Sequence, residues 1–395
     1  MSDETQILIS GGGVAGLTAA CLFGTAGFDV ICVDPAPPVT QRDADGSDLR
    51  STAFLQPSMQ TLERAGVWQQ LSAFATPLQT MQIVDADDDG NLRNRRAFDA
   101  SDISDLPFGW NLPNWLIRRE LVQRLSQLTN VDFRPGVSTD RMLARSASAK
   151  VWLSDGSQVN ASLVIAADGR GSPLRDAAGI AVKTKRYGQK ALAFAVTHPI
   201  PHEHVSTEIH RTGGPFTLVP LPDFDGVPSS AVVWMEDGAH AQALAAMDER
   251  DFNAAMSERS CHMFGPLSLA SARSVWPIIS QIADRFSARR LALVAEAAHV
   301  VPPIGAQGLN MSLADLQTLL DLTPEHDLGS DAMLDAYHRA RHLNVSMRVT
   351  GIDLLNRTSQ SDADWFRQLR SWGIGAIHDA KPVRTTLMNM GLGLR

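Results

Sequence analysis

LALVAEAAHVVPPIGAQGLNMSLADL, Leu291 to Leu316, decides the fold of this chain. An apolar run, Leu291 to Val294, ends at the acid Glu296; Pro302, Pro303, Gly305 and Gly308 then form a tight loop, and Asn310 and Leu313 open a helix. Strand, acid, close-turning loop and helix in that order suit a flat, polar-edged cofactor. Gly305 and Gly308 remove side chains where a ligand must approach, and the helix turns unsatisfied N–H groups and its positive dipole end toward electron-rich atoms.

A second station of this kind opens the chain. Gln6 to Ser10 reads as a strand, Gly11-Gly12-Gly13-Val14-Ala15-Gly16 as a turn, Leu17 to Thr25 as a helix and Val30 to Val33 as the returning strand. In this G-x-G-x-x-G unit Gly11 permits the turn, Gly13 lets a pyrophosphate reach the backbone and Gly16 lets helix and strand pack. Asp34 follows at the distance where a carboxylate accepts ribose hydroxyls and disfavours a 2′-phosphate. The unit predicts a dinucleotide and does not choose between NAD and FAD. A third station lies between the two: the apolar strand Leu163 to Ala167 stops at Asp168-Gly169-Arg170-Gly171-Ser172, before Pro173 and a helix. Taken alone it equally describes a capped, solvated turn.

Composition bounds the chemistry. The 395 residues, 44% of them hydrophobic, supply two or three domains with ample core, and a formal charge of -8 argues against general nucleic-acid binding. Cys21, Cys32 and Cys261 fit neither a zinc spacing nor a disulfide framework, and Cys21 and Cys32 fall on apolar faces. His198, His202 and His204 cluster in a Pro-rich turn without ligand-spaced partners, so no metal is expected. With no basic leader ahead of Ile7 and no membrane-length apolar run, the expectation is a cytoplasmic protein, at most peripheral at the inner face of a membrane.

Three segments in order and spacing, GGGVAG (11–16), AADGRGSPLRDAAGI (166–180) and AEAAHVVPPIGAQGLN (295–310), resemble the fingerprints of the FAD-dependent aromatic monooxygenases of the para-hydroxybenzoate hydroxylase type. The stretches 50–68, 187–196, 213–222 and 231–235 resemble the ubiquinone-biosynthesis hydroxylases within that family. The resemblance implies FAD as cofactor, O2 as co-substrate and ring hydroxylation of a polyprenylated phenol through a C4a-hydroperoxyflavin. NAD(P)H at a transient surface site or a protein donor would supply electrons, since no second G-x-G-x-x-G turn is present. Two alternatives stay open: hydroxylation of a small soluble aromatic, and a flavin-binding, non-catalytic subunit of a quinone-biosynthesis complex.

Position by position, the resemblance implies that Gly11, Gly13, Val14, Ala15 and Gly16 cradle the pyrophosphate and Asp34 the adenosine ribose. Arg50 and Arg118 would meet the phosphates, with Arg119 as the competitor of Arg118. Asp168 and Gly169 would serve the ribityl or pyrophosphate region, with Arg175 joining or pairing Asp168. Glu296 stands where the family carries Asp, and Ala295 where it carries Gly. Pro303, Gly305, Gln307, Gly308, Leu309 and Asn310 would line the isoalloxazine, with the backbone at Pro303 and Gly305 on its C4a side. The backbone N–H groups of Leu309 and Asn310 suit the N1/C2=O edge. His299 reads as structural, and no side chain is assigned the phenol proton.

The expected fold is α/β (α+β): a Rossmann-like FAD-binding domain from 1–77, 106–180 and 276–320, an inserted mixed β-sheet substrate domain from 78–105 and 181–275, and a helical C-terminal region, 321–395. Met81 to Val84 and Asn94 to Phe98 flank a hairpin turn at Asp87 to Gly90, and Ala191 to Thr197, Thr217 to Leu221 and Ser230 to Met235 read as further strands. Phe194, Phe216, Leu218 and Val233 are candidates for an apolar pocket, with ordinary core as the competing role. Asp331 to Leu355 forms one amphipathic helix. Beyond it Trp365, Phe366, Leu369, Trp372 and Ile374 mix with Arg367, Arg370, Lys381, Arg384 and Arg395, which suits either packing on the FAD domain or docking to a membrane surface or to other quinone-biosynthesis proteins.

Overall fold

The computed structural model describes residues 3–87, 89–211, 213–360, 385, 386 and 388. The basic, aromatic segment after 360 lies almost wholly outside these, and with it the docking expectation. One sheet runs Ser287–Ala288, Leu291–Leu293, Gln158–Ala166, Asp3–Ser10, Val30–Asp34, Val131–Pro135. All but the first of these strands are parallel neighbours, and the Val, Ile and Leu runs Ile7 to Ile9, Val30 to Val33, Leu163 to Ala166 and Leu291 to Leu293 are buried at the centre of the sheet. The hairpin strands Thr139–Ala144 and Ala149–Leu153 extend the sheet beside Gln158–Ala166. Helices Val14–Thr25, Asn114–Leu125 and Gln307–Leu322 share its core with Leu163, Leu293 and Tyr337.

The second sheet runs His299–Val300, Ser274–Ala283, Val182–Thr197, Val227–Asp237, Gly214–Phe224, Val205–Arg211, Thr80–Ala86, Leu92–Asp99. The hairpin expected around Asp87 forms here, and Asp87 accepts the N–H groups of Asp89 and Asn91 to close it. Ser274–Ala283 stays in this sheet, paired with Val182–Thr197, so the chain returns to the first layer after Ala283 and not at residue 276. A three-stranded sheet, Ser51–Leu55, Gly109–Pro113 and Thr76–Leu78, joins the layers, and Asn111 donates from it to the Pro220 carbonyl at 2.8 Å. The long helix Asp331–Gln360 begins in the first layer and reaches the second near its end, where Lys185 and Tyr187 meet Asp353.

Candidate flavin site

Register brings the three stations together. Ser10 pairs with Ala166, and Ala166 with Leu293, so the three turns leave the carboxyl edge of one parallel sheet side by side. That edge is where open α/β sheets bind ligands. At the first turn Gly11 has φ +110°, and a Cβ there would lie 2.2 Å from the Ala167 carbonyl oxygen; a Cβ on Gly16 would lie 1.8 Å from the Gly11 oxygen. Gly13, by contrast, faces open space at the start of the helix Val14–Thr25, whose first N–H groups have no side-chain cap. Asp34 closes the second strand and accepts the N–H of Gly12 and, at 2.8 Å, that of Ala36. Cys21 and Cys32 are core, and burial first of all pushes their thiols up, that of Cys21 to about 12 and that of Cys32 well above the usual thiol range.

At the second turn Ser172, not Asp168, caps the short helix, accepting the Arg175 N–H at 3.1 Å. Asp168 has one oxygen 3.3 Å from the Leu174 N–H, while its Oδ1 is buried with no protein partner. Burial raises its carboxyl above the usual range. Arg175 does not pair with Asp168 as expected. Its guanidinium donates to the Arg170 and Ala297 carbonyls at 3.0 and 3.2 Å, and so ties the second turn to the third.

The third station is more elaborate than strand and loop. After Leu293 the chain forms a 3-10 turn, Ala295–Ala297, then a two-residue strand, His299–Val300, before the loop. Ala295 has φ +54°, the left-handed region that favours glycine, so an alanine here adds backbone strain as well as a methyl group. Asp315, fully buried, accepts the Ala295 N–H at 3.2 Å, the His299 ring at 2.7 Å and Arg341 at 2.8 Å. Burial alone would raise the Asp315 carboxyl, but the facing His299 and Arg341 hold it below the usual range. His299 is structural, as its place in the turn suggested. Glu296 projects outward and makes no hydrogen bond to protein among the described residues, although its charge acts on Arg50.

The helix starts at Gln307, three residues before Asn310, with Ala306 at φ +54° and no side-chain cap. Asn310 therefore sits inside the first turn. Its amide accepts the Leu55 N–H at 2.9 Å and donates to the Ala53 carbonyl at 2.8 Å, which pins the loop to the three-stranded sheet. Pro303, Gly305 and Gly308 are exposed along the loop, Leu309 is half-buried on the core, and Gln307 donates to the Gly305 carbonyl at 3.0 Å.

Asp48 gathers the arginines. Arg50 meets it with two bonds of 2.7 Å and lies 5.3 Å from the Trp276 ring centre; Arg118 approaches the same carboxylate to 3.5 Å, its Nε buried without a partner. Arg119 turns the other way, to Glu120, Phe74 and Trp115, which separates it from Arg118. Gly169 completes the second turn beside Asp168.

Of the four pocket candidates, three are core. Phe194, Phe216 and Leu218 pack with Trp234, Phe252 and Met256 under the helices Gly238–Ala246 and Glu249–Arg259, on the far face of the second sheet. Val233 lies on the opposite face, in a cluster of Ala191, Met235 and Ile278 with Tyr187, Trp276 and, from the loop, Ile304. Sequence reading also missed Asp315, Arg341 and Arg348. A signal was present: Tyr337, Arg341, Val345, Arg348 and Ile352 recur at helical spacing, so the two arginines occupy the apolar stripe and not the solvent face.

A buried carboxylate oxygen without a partner, an open glycine before an uncapped helix, a second uncapped helix at the loop and a buried orphan guanidine N–H fit an elongated, phosphate-bearing cofactor such as FAD. The comparisons agree. Residues 4–351 match the family model of the FAD binding domain, and the chain belongs to that family, an FAD-dependent aromatic-ring monooxygenase with an α/β fold. Within it the chain falls among the ubiquinone hydroxylases. It is 30% identical to the ubiquinone hydroxylase UbiL of Rhodospirillum rubrum, over 98% of this chain and 89% of that one. It is 25% identical to the 3-demethoxyubiquinol 3-hydroxylase of Escherichia coli, over the whole of both chains. Among solved structures, p-nitrophenol 4-monooxygenase from Pseudomonas putida shares the fold with a TM-score of 0.80 at 18% identity, again over both whole chains.

Proposed function

We propose that this monooxygenase hydroxylates the aromatic ring of a polyprenylated phenol in ubiquinone biosynthesis. The observation that carries the proposal is the apolar cluster in which Ile304, from the loop, meets Ala191, Val233, Met235, Trp276 and Ile278. An oxygen-activating loop roofed by apolar side chains suits a water-poor reaction on a greasy ring. FAD, when bound, supplies the activation of O2; the protein supplies position and dryness.

In this reading Gly11, Gly13, Val14, Ala15 and Gly16 receive the pyrophosphate, Asp34 the adenosine ribose, and Arg118 and Arg50 the phosphate charge. Asp168 offers its unpartnered oxygen to a hydroxyl, with Gly169 leaving the approach clear. Glu296 accepts from the ribityl chain on the other side. The exposed backbone of Pro303, Gly305 and Gly308, with the uncapped helix start formed by Gln307, Leu309 and Asn310, faces the isoalloxazine. The pair of Arg175 bonds and the Asp315 node hold the second and third turns in register while substrate comes and goes.

No helix among the described residues is long and apolar enough to cross a membrane. Peripheral contact with the membrane, and with other quinone-biosynthesis proteins, belongs to the proposal. The test is loss of the gene followed by lipid extraction: accumulation of a prenylated phenol lacking one ring hydroxyl supports it. Unchanged ubiquinone with a missing soluble hydroxylated aromatic would replace it.

A further inference from the structure

Arg348 has no assigned role, and its surroundings are unusual. It leaves the long helix Asp331–Gln360 and donates from Nη1 to the Gln307 side-chain oxygen at 2.8 Å, 41 residues away. Gln307 is the first residue of the helix whose N-terminus faces the loop, and it also holds the Gly305 carbonyl. The neighbouring cations are neutralised: Arg50 by Asp48 and Arg341 by Asp315. Arg348 meets only amide oxygens, those of Gln307 and Asn344, and no carboxylate of the described residues pairs with it. No acidic residue occupies the first turn of the helix Gln307–Leu322.

We propose that Arg348 is a positioning residue that makes this loop favour reduced over oxidised flavin, by placing one uncompensated positive charge behind the uncapped helix start. The proposal rests on the FAD reading above. Two-electron reduction with uptake of one proton, the electrons coming from a nicotinamide or protein donor, adds one negative charge to the bound flavin. A cation held close by, in a partly desolvated place, stabilises that charge more than the neutral oxidised ring. Burial, followed by the nearby Arg341, lowers the affinity of Arg348 for its own proton, as expected of a cation lacking a counterion. The helix N-terminus contributes in the same sense, so the two sources of positive potential add.

The experiment is a redox titration of the FAD-loaded full chain against indicator dyes. R348Q is expected to lower the two-electron midpoint potential by about 30 mV, equivalent to a tenfold weaker preference for the reduced form. R348K, which keeps the charge, is expected to stay near the wild-type value. N344A, which removes the other hydrogen bond to Arg348 and keeps the charge, is expected to do the same. An unchanged potential in R348Q, or an equal fall in R348Q and R348K, would overturn the proposal, because geometry and not charge would then be responsible. If R348Q does not retain FAD, R348M takes its place: a potential lowered by about 30 mV with R348K near the wild-type value supports the proposal, and an unchanged potential overturns it. Failure of the wild-type chain to bind FAD is a separate result that would remove the function reading itself.

Discussion

Asp168 should make the protein less stable when empty and tighter for its cofactor. Its Oδ1 is buried without a partner, while its other oxygen takes a long bond from the Leu174 N–H at 3.3 Å and the Ser172 hydroxyl acts on the carboxylate. A buried polar atom left unsatisfied costs roughly 1–3 kcal/mol, and hydrogen bonds to a charged group contribute roughly 1.5–3 kcal/mol. Asp168→Asn keeps the shape and removes the charge. The FAD-free variant should therefore gain about 1 kcal/mol, while its Kd for FAD rises by roughly ten- to hundredfold. The sign with pH follows from the raised carboxyl. A group that holds its proton more tightly when folded penalises the fold above its folded pKa, and the penalty fades as pH falls toward the unfolded value of about 3.9. The advantage of the variant should shrink over that interval. Urea unfolding of the FAD-free proteins, with flavin fluorescence titration, measures both effects. An FAD-free variant weaker than wild type, with unaltered FAD affinity, would refute the reasoning.

Asp315→Asn should destabilise the fold by roughly 3–5 kcal/mol, because it leaves Arg341 buried without its carboxylate; Asp315→Leu combined with Arg341→Met should recover most of this. Denaturation of the three proteins measures it, and a single variant within about 1 kcal/mol of wild type would count against the node. The Asp315 carboxyl is depressed in the fold, so its contribution is complete above about pH 3.9 and lost as pH falls through its lower folded pKa. Ala295→Gly should relieve roughly 1–2 kcal/mol of left-handed strain against roughly 0.4–1 kcal/mol of added unfolded-state entropy, a net gain of about 0.5–1 kcal/mol read from the urea midpoint. A loss of stability would show that the methyl group packs usefully.

Much of the site was legible because each station is local. Gly11 and Asp168 stand at strand ends followed within a few residues by a turn and a helix, and Glu296 follows a strand end whose loop and helix come next in sequence; such signals survive in a single sequence. What joins the stations was not legible. The pairings of Ser10 with Ala166 and of Ala166 with Leu293 each span more than a hundred residues, and no local pattern encodes register. For Phe194, Phe216 and Leu218 the choice between pocket and core stayed open for a related reason. Alternation shows that they share a face, whereas the helices Gly238–Ala246 and Glu249–Arg259 decide that this face is the inner one. Arg175 illustrates a third limit: besides the adjacent Asp176 carboxylate, it reaches the carbonyls of Arg170 and Ala297, and backbone acceptors leave no residue-type signature.

The register of the central sheet also bears on how the protein is made. Gln158–Ala166 lies between the first strand and Leu291–Leu293, and the Asp315 node needs Arg341 from near the end of the chain. A ribosome emitting about 5–20 residues per second has released most of the polypeptide before the last station can dock. The nascent chain thus carries its glycine turn for many seconds as half of a cleft, with the apolar strand edge at Gln158–Ala166 waiting for a late partner. Completion of the third turn therefore waits on residues as late as Arg341, and chains cut short of Arg341 should emerge without flavin.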